Sequence, residues 1–113
     1  NDLVRPTLYD AHHDIMPVLE PAPSAPRIVA DVVGPVCESG DFLALDREMA
    51  LPQPSDLVAV MTAGAYGAVQ AGTYNTRPLV PEVLVREGEW ELIRPRLEVD
   101  ALLGLDRLPK WLA

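Results

Sequence analysis

Cys37 and Glu38 are adjacent and are bracketed by Gly34 and Gly40. A thiol beside a carboxylate joins a proton donor to an anionic partner. Glycines on both sides let the backbone turn sharply and leave the two side chains projecting. The same four residues also read as a small buried cysteine beside a turn carboxylate. Gly64-Ala65-Tyr66-Gly67 follows an apolar run. Small residues around one phenol permit a ligand to approach while the hydroxyl hydrogen-bonds it, and a helix opening here would aim backbone N–H groups at an anion. The plainer reading is a tyrosine packed at the end of a barrel. Arg5 and Tyr9 are four apart and share one face of a helix. A guanidinium fork with a phenol makes a carboxylate site; the alternative is a solvated arginine and a tyrosine at the core edge. His12 and His13, as neighbours, would point to opposite faces of a strand, which is poor spacing for joint metal binding. Tyr74-Asn75-Thr76-Arg77-Pro78 reads as a polar corner.

Several chemistries are missing. The sequence has no Walker loop, no Rossmann glycine fingerprint, no His-Glu-x-x-His and no Gly-x-Ser-x-Gly. Its one lysine, Lys110, stands between Pro109 and Trp111 near the end of the chain. A lysine that holds a carbonyl cofactor covalently must be desolvated and carried on a rigid element. Lys110 does not meet that requirement.

The elements that must position these residues are short. Asn1 or Asp2 can cap a helix over Leu3 to Tyr9. An apolar run from Ile15 to Leu19 leads into a proline-rich loop over 20–26. Arg27 to Val33 is rich in β-branched residues and predicts a strand. Gly34-Pro35 breaks it, and Phe42 to Leu45 predicts a short strand or turn. Asp56 to Met61 is a further strand, followed by a small-residue turn over 63–68 that can open a short helix. Residues 81–86 and 89–94 flank Glu87-Gly88 and make the strongest hairpin signal in the chain. Glu98 to Leu105 has the apolar spacing of a terminal helix. Together these predict a mainly β, antiparallel domain with short helices, built as a barrel or sandwich.

Bulk properties narrow the partners. Apolar residues make up 49% and charged residues 23%, so the chain is globular rather than disordered. Twelve prolines and seven glycines favour strands and turns over long helices. The net charge of −8 is the wrong sign for nonspecific binding to nucleic acid or an anionic membrane. Small molecules and proteins are the expected partners. One cysteine excludes an intrachain disulfide and suits a reducing, cytoplasmic compartment. No stretch has the length and apolarity of a spanning helix, and the first residues lack the pattern of a signal peptide. The absence of an initiating methionine is expected of a piece of something longer.

The order of the motifs resembles one family. Asn-Asp-Leu-Val-Arg-Pro-x-Leu-Tyr at 1–9 is followed by Val-Val-Gly-Pro-Val-Cys-Glu-Ser-Gly-Asp at 32–41. Asp-Leu-Val-Ala-Val-Met-x-Ala-Gly-Ala-Tyr-Gly-Ala stands at 56–68. Tyr-Asn-x-Arg-Pro at 74–78 precedes Glu-Val-Leu-Val at 82–85. The series resembles the C-terminal third of the diaminopimelate decarboxylases, pyridoxal-phosphate-dependent enzymes of the alanine-racemase-like fold group. It covers nearly the whole chain.

The resemblance implies that residues 1–113 are the C-terminal β-barrel portion of a decarboxylase, with 1–12 a short segment at the junction with an α/β barrel. That missing N-terminal barrel would carry the cofactor lysine. The resemblance further implies a homodimer with a shared active site that removes one carboxylate from meso-diaminopimelate to give L-lysine. Arg5 and Tyr9 would hold the distal carboxylate of the substrate. Cys37 would be the catalytic proton donor in the partner subunit's site. Glu38 would bind the distal ammonium, and Tyr66 would lie by the substrate and the cofactor. Ornithine decarboxylases tend to carry aspartate after this cysteine, so Glu38 favours the longer substrate. A decarboxylase of a related diamino acid and a non-catalytic regulatory homologue are the alternatives. Lacking the cofactor lysine, the chain on its own is expected to be inactive.

Overall fold

The computed structural model describes residues 11–112, apart from the side chain of Ala65. The helix expected over Leu3 to Tyr9, and with it Arg5 and Tyr9, lies outside the described residues. The chain divides into two compact units, one ending at Gln70 and the other beginning at Ala71.

The first unit holds two antiparallel ladders. Strands β2 (Arg27–Val33) and β3 (Phe42–Ala50) pair from Arg27↔Ala50 to Val33↔Phe42. Exposure alternates along β2, with Ile28, Ala30 and Val32 on the more buried face, as a period of two demands. The sequence predicts β3 only to Leu45, but it continues for another five residues. Its charged stretch Asp46-Arg47-Glu48 hides the strand signal. The register slips between Ala30 and Val32, opposite the place where Asp46 takes a left-handed φ of 51°. Aspartate tolerates that conformation, and the Asp46 N–H donates to Asp31 Oδ1 at 2.9 Å. The exposed polar run is thus absorbed by a bulge.

Strands β1 (Ile15–Pro17) and β4 (Val58–Val60) form the second ladder. The Val18 N–H donates to the Leu57 carbonyl at 2.9 Å, and the Met61 N–H to the Asp14 carbonyl at 2.8 Å. One helical turn, α1 (Gly64–Gly67), follows at the small-residue segment.

The second unit opens with a 3-10 turn over Tyr74–Thr76, where Asn75 and Thr76 both have positive φ. It continues as the expected hairpin of β5 (Glu82–Arg86) and β6 (Glu89–Arg94). Glu87 and Gly88 turn at φ of 51° and 86°, the two positive values of a type I′ turn. Helix α2 (Val99–Leu103) is the last helix or strand of the described residues. The pairs Val83↔Leu92 and Val85↔Trp90 give the hairpin one apolar face, with Trp90 71% exposed. A lone two-stranded hairpin is marginal in water, so this face requires cover.

The same need runs through both units. Among the described residues, the buried apolar side chains reduce to Ala44, and Asp41 is the buried charged one. The accessible surface is 9124 Å². A compact monomer of this mass exposes roughly 6,100 Å², and two separate domains of these sizes together roughly 7,300 Å². The strands are formed, but the faces they present are largely uncovered.

Candidate functional site

The connection from β2 to β3 builds the central feature. The Gly34 N–H donates to the Asp41 carbonyl at 2.8 Å, closing the loop at its base. The Glu38 N–H donates to the Val36 carbonyl at 2.9 Å, and the Asp41 N–H to the Glu38 carbonyl at 3.1 Å. The Asp41 side chain turns inward, and its Oδ2 accepts the Val36 N–H at 2.5 Å. Cys37 and Glu38 project from this frame and are exposed. The reading of Cys37 as a small buried residue therefore does not hold.

The flanking glycines act differently from what their sequence context predicts. Neither Gly34 nor Gly40 has a left-handed φ; Gly88 alone does among the described glycines. A Cβ on Gly34 would collide with the Asp41 carboxylate, whereas one on Gly40 would stand 3.2 Å from the flexible tip of Glu38. Gly34 serves close approach, not turning.

Tyr66 lies on α1 and is 57% exposed. The Gly67 N–H donates to the Ala63 carbonyl at 2.6 Å and the Gln70 N–H to the Tyr66 carbonyl at 3.0 Å. A Cβ on Gly64 would meet nothing within 4 Å. A helix of four residues is too short for much of a macrodipole. The phenol and the small residues around it, rather than aligned N–H groups, are what this segment offers a ligand.

The histidines are employed separately. The Arg47 guanidinium lies against the His12 ring, with Nη1 2.7 Å from Nε2 and Nη2 2.9 Å from Nδ1. His12 Nε2 is also 3.3 Å from Asp14 Oδ1. His13 Nδ1 is 2.9 Å from the Met61 carbonyl, tying the approach to β1 to the end of β4. Among the described residues no cluster of three or more ligating side chains could hold a metal ion. No described helix is long and apolar enough to cross a membrane.

An apolar groove of about 370 Å³ lies elsewhere, lined by residues 17–21, 49–52 and 55–58. It sits at the Arg27↔Ala50 end of the β2–β3 ladder. The Cys37–Glu38 turn closes the other end, roughly 20 Å away at 3.3 Å per residue. The groove is therefore not where the thiol and carboxylate act.

Of the residues singled out from sequence, the structure joins Cys37 and Glu38 in one braced turn and places Tyr66 on α1, a separate element of the same unit. Arg5 and Tyr9 lie outside the described residues. Sequence reasoning assigned no role to Asp41. No local signal could have found it, because its burial and its contact with position 34 arise only in the closed loop.

Comparison with known proteins agrees with the motif order. Residues 1–64 match the family model described as pyridoxal-dependent decarboxylase, C-terminal sheet domain, and the chain belongs to that family. Within it, the chain is 51% identical over 112 residues to the diaminopimelate decarboxylase of Zymomonas mobilis, covering 99% of this chain and 26% of that protein. It is 50% identical to the Pseudomonas aeruginosa diaminopimelate decarboxylase, over 96% of this chain and 25% of that one. The crystal structure of diaminopimelate decarboxylase from M. jannaschii in co-complex with L-lysine superposes with a TM-score of 0.87 at 32% identity, covering 99% of this chain and 25% of that one. The Helicobacter pylori diaminopimelate decarboxylase complexed with L-lysine gives 0.81 at 36%, covering 92% and 25%. The chain spans about a quarter of the length of these relatives.

Proposed function

We propose that this chain is the C-terminal part of a pyridoxal-phosphate-dependent diaminopimelate decarboxylase that converts meso-2,6-diaminopimelate to L-lysine and carbon dioxide, in the cytoplasm, as a homodimer. The observation that carries the reading is the braced turn that presents Cys37 and Glu38 together to solvent, in a chain of this family.

The residues present suit a lender of side chains rather than the holder of the cofactor. Lys110 is exposed at the end of the chain, without the desolvation that a covalent attachment needs. Tyr66, exposed on α1, suits contact with the cofactor and the substrate near it. When bound, pyridoxal phosphate supplies the electron sink for loss of carbon dioxide. The chain's own residues do the rest. The Cys37 thiol delivers a proton to the carbon that has lost its carboxylate, on the face presented to it. Glu38 holds the distal ammonium of the substrate as a charge-assisted pair, and the Arg5 fork with Tyr9 takes the distal carboxylate. The site is completed by the N-terminal α/β barrel and by the second subunit.

A substrate comparison tests this. The full-length protein, loaded with pyridoxal phosphate, should release carbon dioxide from diaminopimelate far faster than from ornithine, which has no distal carboxylate for Arg5. A clear preference for ornithine would sink the assignment.

A further inference from the structure

We propose that Asp41 is the positioning residue for the Cys37–Glu38 turn, and that position 34 is glycine because the Asp41 carboxylate fills the space where a side chain would stand. The inference deepens the functional reading above and rests on it for its kinetic readout, but its geometric part stands on the loop alone.

Asp41 engages the turn at three points. Its carbonyl accepts the Gly34 N–H, its own N–H donates to Glu38, and its Oδ2 accepts the Val36 N–H at 2.5 Å. Cys37 is therefore held on both sides, through the N–H of the residue before it and the carbonyl of the residue after it. The burial is graded accordingly: Asp41 is 5% exposed, while Cys37 and Glu38 stand in solvent. A buried carboxylate on a backbone N–H makes a charge-assisted bond, stronger and more directional than a neutral one. A proton donor and an ammonium receptor need placement within about 0.5 Å to act on one substrate, and an exposed loop of eight residues without an internal anchor would not supply it.

Gly34 gives the argument an independent handle. Its φ is not in the left-handed region, so alanine is conformationally acceptable there. The obstacle to a methyl group is the Asp41 carboxylate itself. The two positions must therefore be coupled, and removing the carboxylate should make room for the methyl.

The experiment is a double-mutant cycle in the full-length protein with pyridoxal phosphate bound. It uses Asp41→Ala, Gly34→Ala, the double variant, and Asp41→Asn, which keeps an acceptor oxygen for the Val36 N–H. The readouts are kcat/KM for diaminopimelate, cofactor absorbance, and the rate of Cys37 alkylation by iodoacetamide, followed on the Cys37 peptide by mass spectrometry.

Asp41→Ala and Gly34→Ala should each lower kcat/KM by roughly ten- to a hundredfold, the weight of one charge-assisted hydrogen bond. Cofactor absorbance should be unchanged and the alkylation rate altered. Asp41→Asn should recover part of the loss, because it keeps the acceptor oxygen without the charge. Adding Gly34→Ala to Asp41→Ala should cost less than about threefold, because coupled neighbours are not additive. Full additivity of the two losses, or wild-type kcat/KM and alkylation in Asp41→Ala, would overturn the proposal. Should Asp41→Ala fail to assemble, Gly34→Ala alone decides: wild-type turnover and alkylation overturn it, and lowered turnover with an altered alkylation rate and cofactor retained supports it. A wild-type protein inactive on diaminopimelate, whose Cys37 alkylation still follows the cycle, would sink the functional reading and leave the loop assignment standing.

Discussion

Prepared alone, the 113-residue polypeptide should not melt as a cooperative monomer. An unfolded chain of this mass exposes roughly 17,800 Å². The folded chain still exposes 9124 Å², so it buries about half of its unfolded surface. Even a 60-residue domain that is marginal by size buries about 60%. The shortfall has identifiable seats: Val29 and Val33 on β2, Leu57 beside the groove, and Val85 and Trp90 on the hairpin are each more than 60% exposed. Among the described residues, the three two-stranded ladders also leave strand edges to pair with other chains. The assays are light scattering coupled to size exclusion, scanning calorimetry, and tryptophan emission from Trp90 and Trp111. Association or a broad, low-enthalpy transition is expected, with water-exposed tryptophan emission. A monomer with one sharp transition and an enthalpy near 80 kcal/mol, at about 0.7 kcal/mol per residue, would refute the reasoning.

Other expectations concern single residues of the full-length protein. Cys37→Ala should lower kcat by about a hundredfold or more while changing KM little, since general acid catalysis is worth roughly 10²–10⁴-fold; steady-state kinetics check it, and unchanged turnover removes Cys37 from the mechanism. Gly88→Ala should destabilise the protein by roughly 1–2 kcal/mol through the φ of 86° in the β5–β6 turn, visible as a lower melting temperature with the catalytic constants unchanged. Glu82→Gln removes a pair to Arg94 at 3.2 Å in which both side chains are about a third exposed. Solvent screening should hold that cost below about 1 kcal/mol, and a larger shift in a denaturant titration would contradict it.

The fold was legible where local pattern and tertiary role agree. β2 alternates, the hairpin carries Glu87-Gly88, and both were readable in advance. The hidden half of β3 shows the limit. Asp46, Arg47 and Glu48 look like a loop, yet each has a cross-strand or adjacent partner: Asp31 for the Asp46 N–H, His12 for Arg47, and Arg27 for Glu48 at 2.8 Å. Such partners are distant in sequence and leave no local periodicity. The site divides similarly. Cys37 and Glu38 announce themselves by residue type, and the motif order supplies the chemistry. The brace beneath them was illegible because the burial of Asp41 and the crowding at Gly34 are properties of the closed loop. Glycine 34 looked like a turning residue and proved to be a clearance.

The central claim is that this chain lends a proton donor and a substrate receptor to a site that another part of the enzyme completes. Subunit mixing tests it most directly. A full-length Cys37→Ala variant and a full-length variant lacking the cofactor lysine of the α/β barrel, each nearly inactive alone, are dissociated and reassociated together in equal amounts. Half of the dimers are then mixed, and in a shared two-fold site each mixed dimer regains one complete centre. Recovery of about a quarter of wild-type decarboxylation is predicted. Mixtures no more active than the separate variants would contradict it.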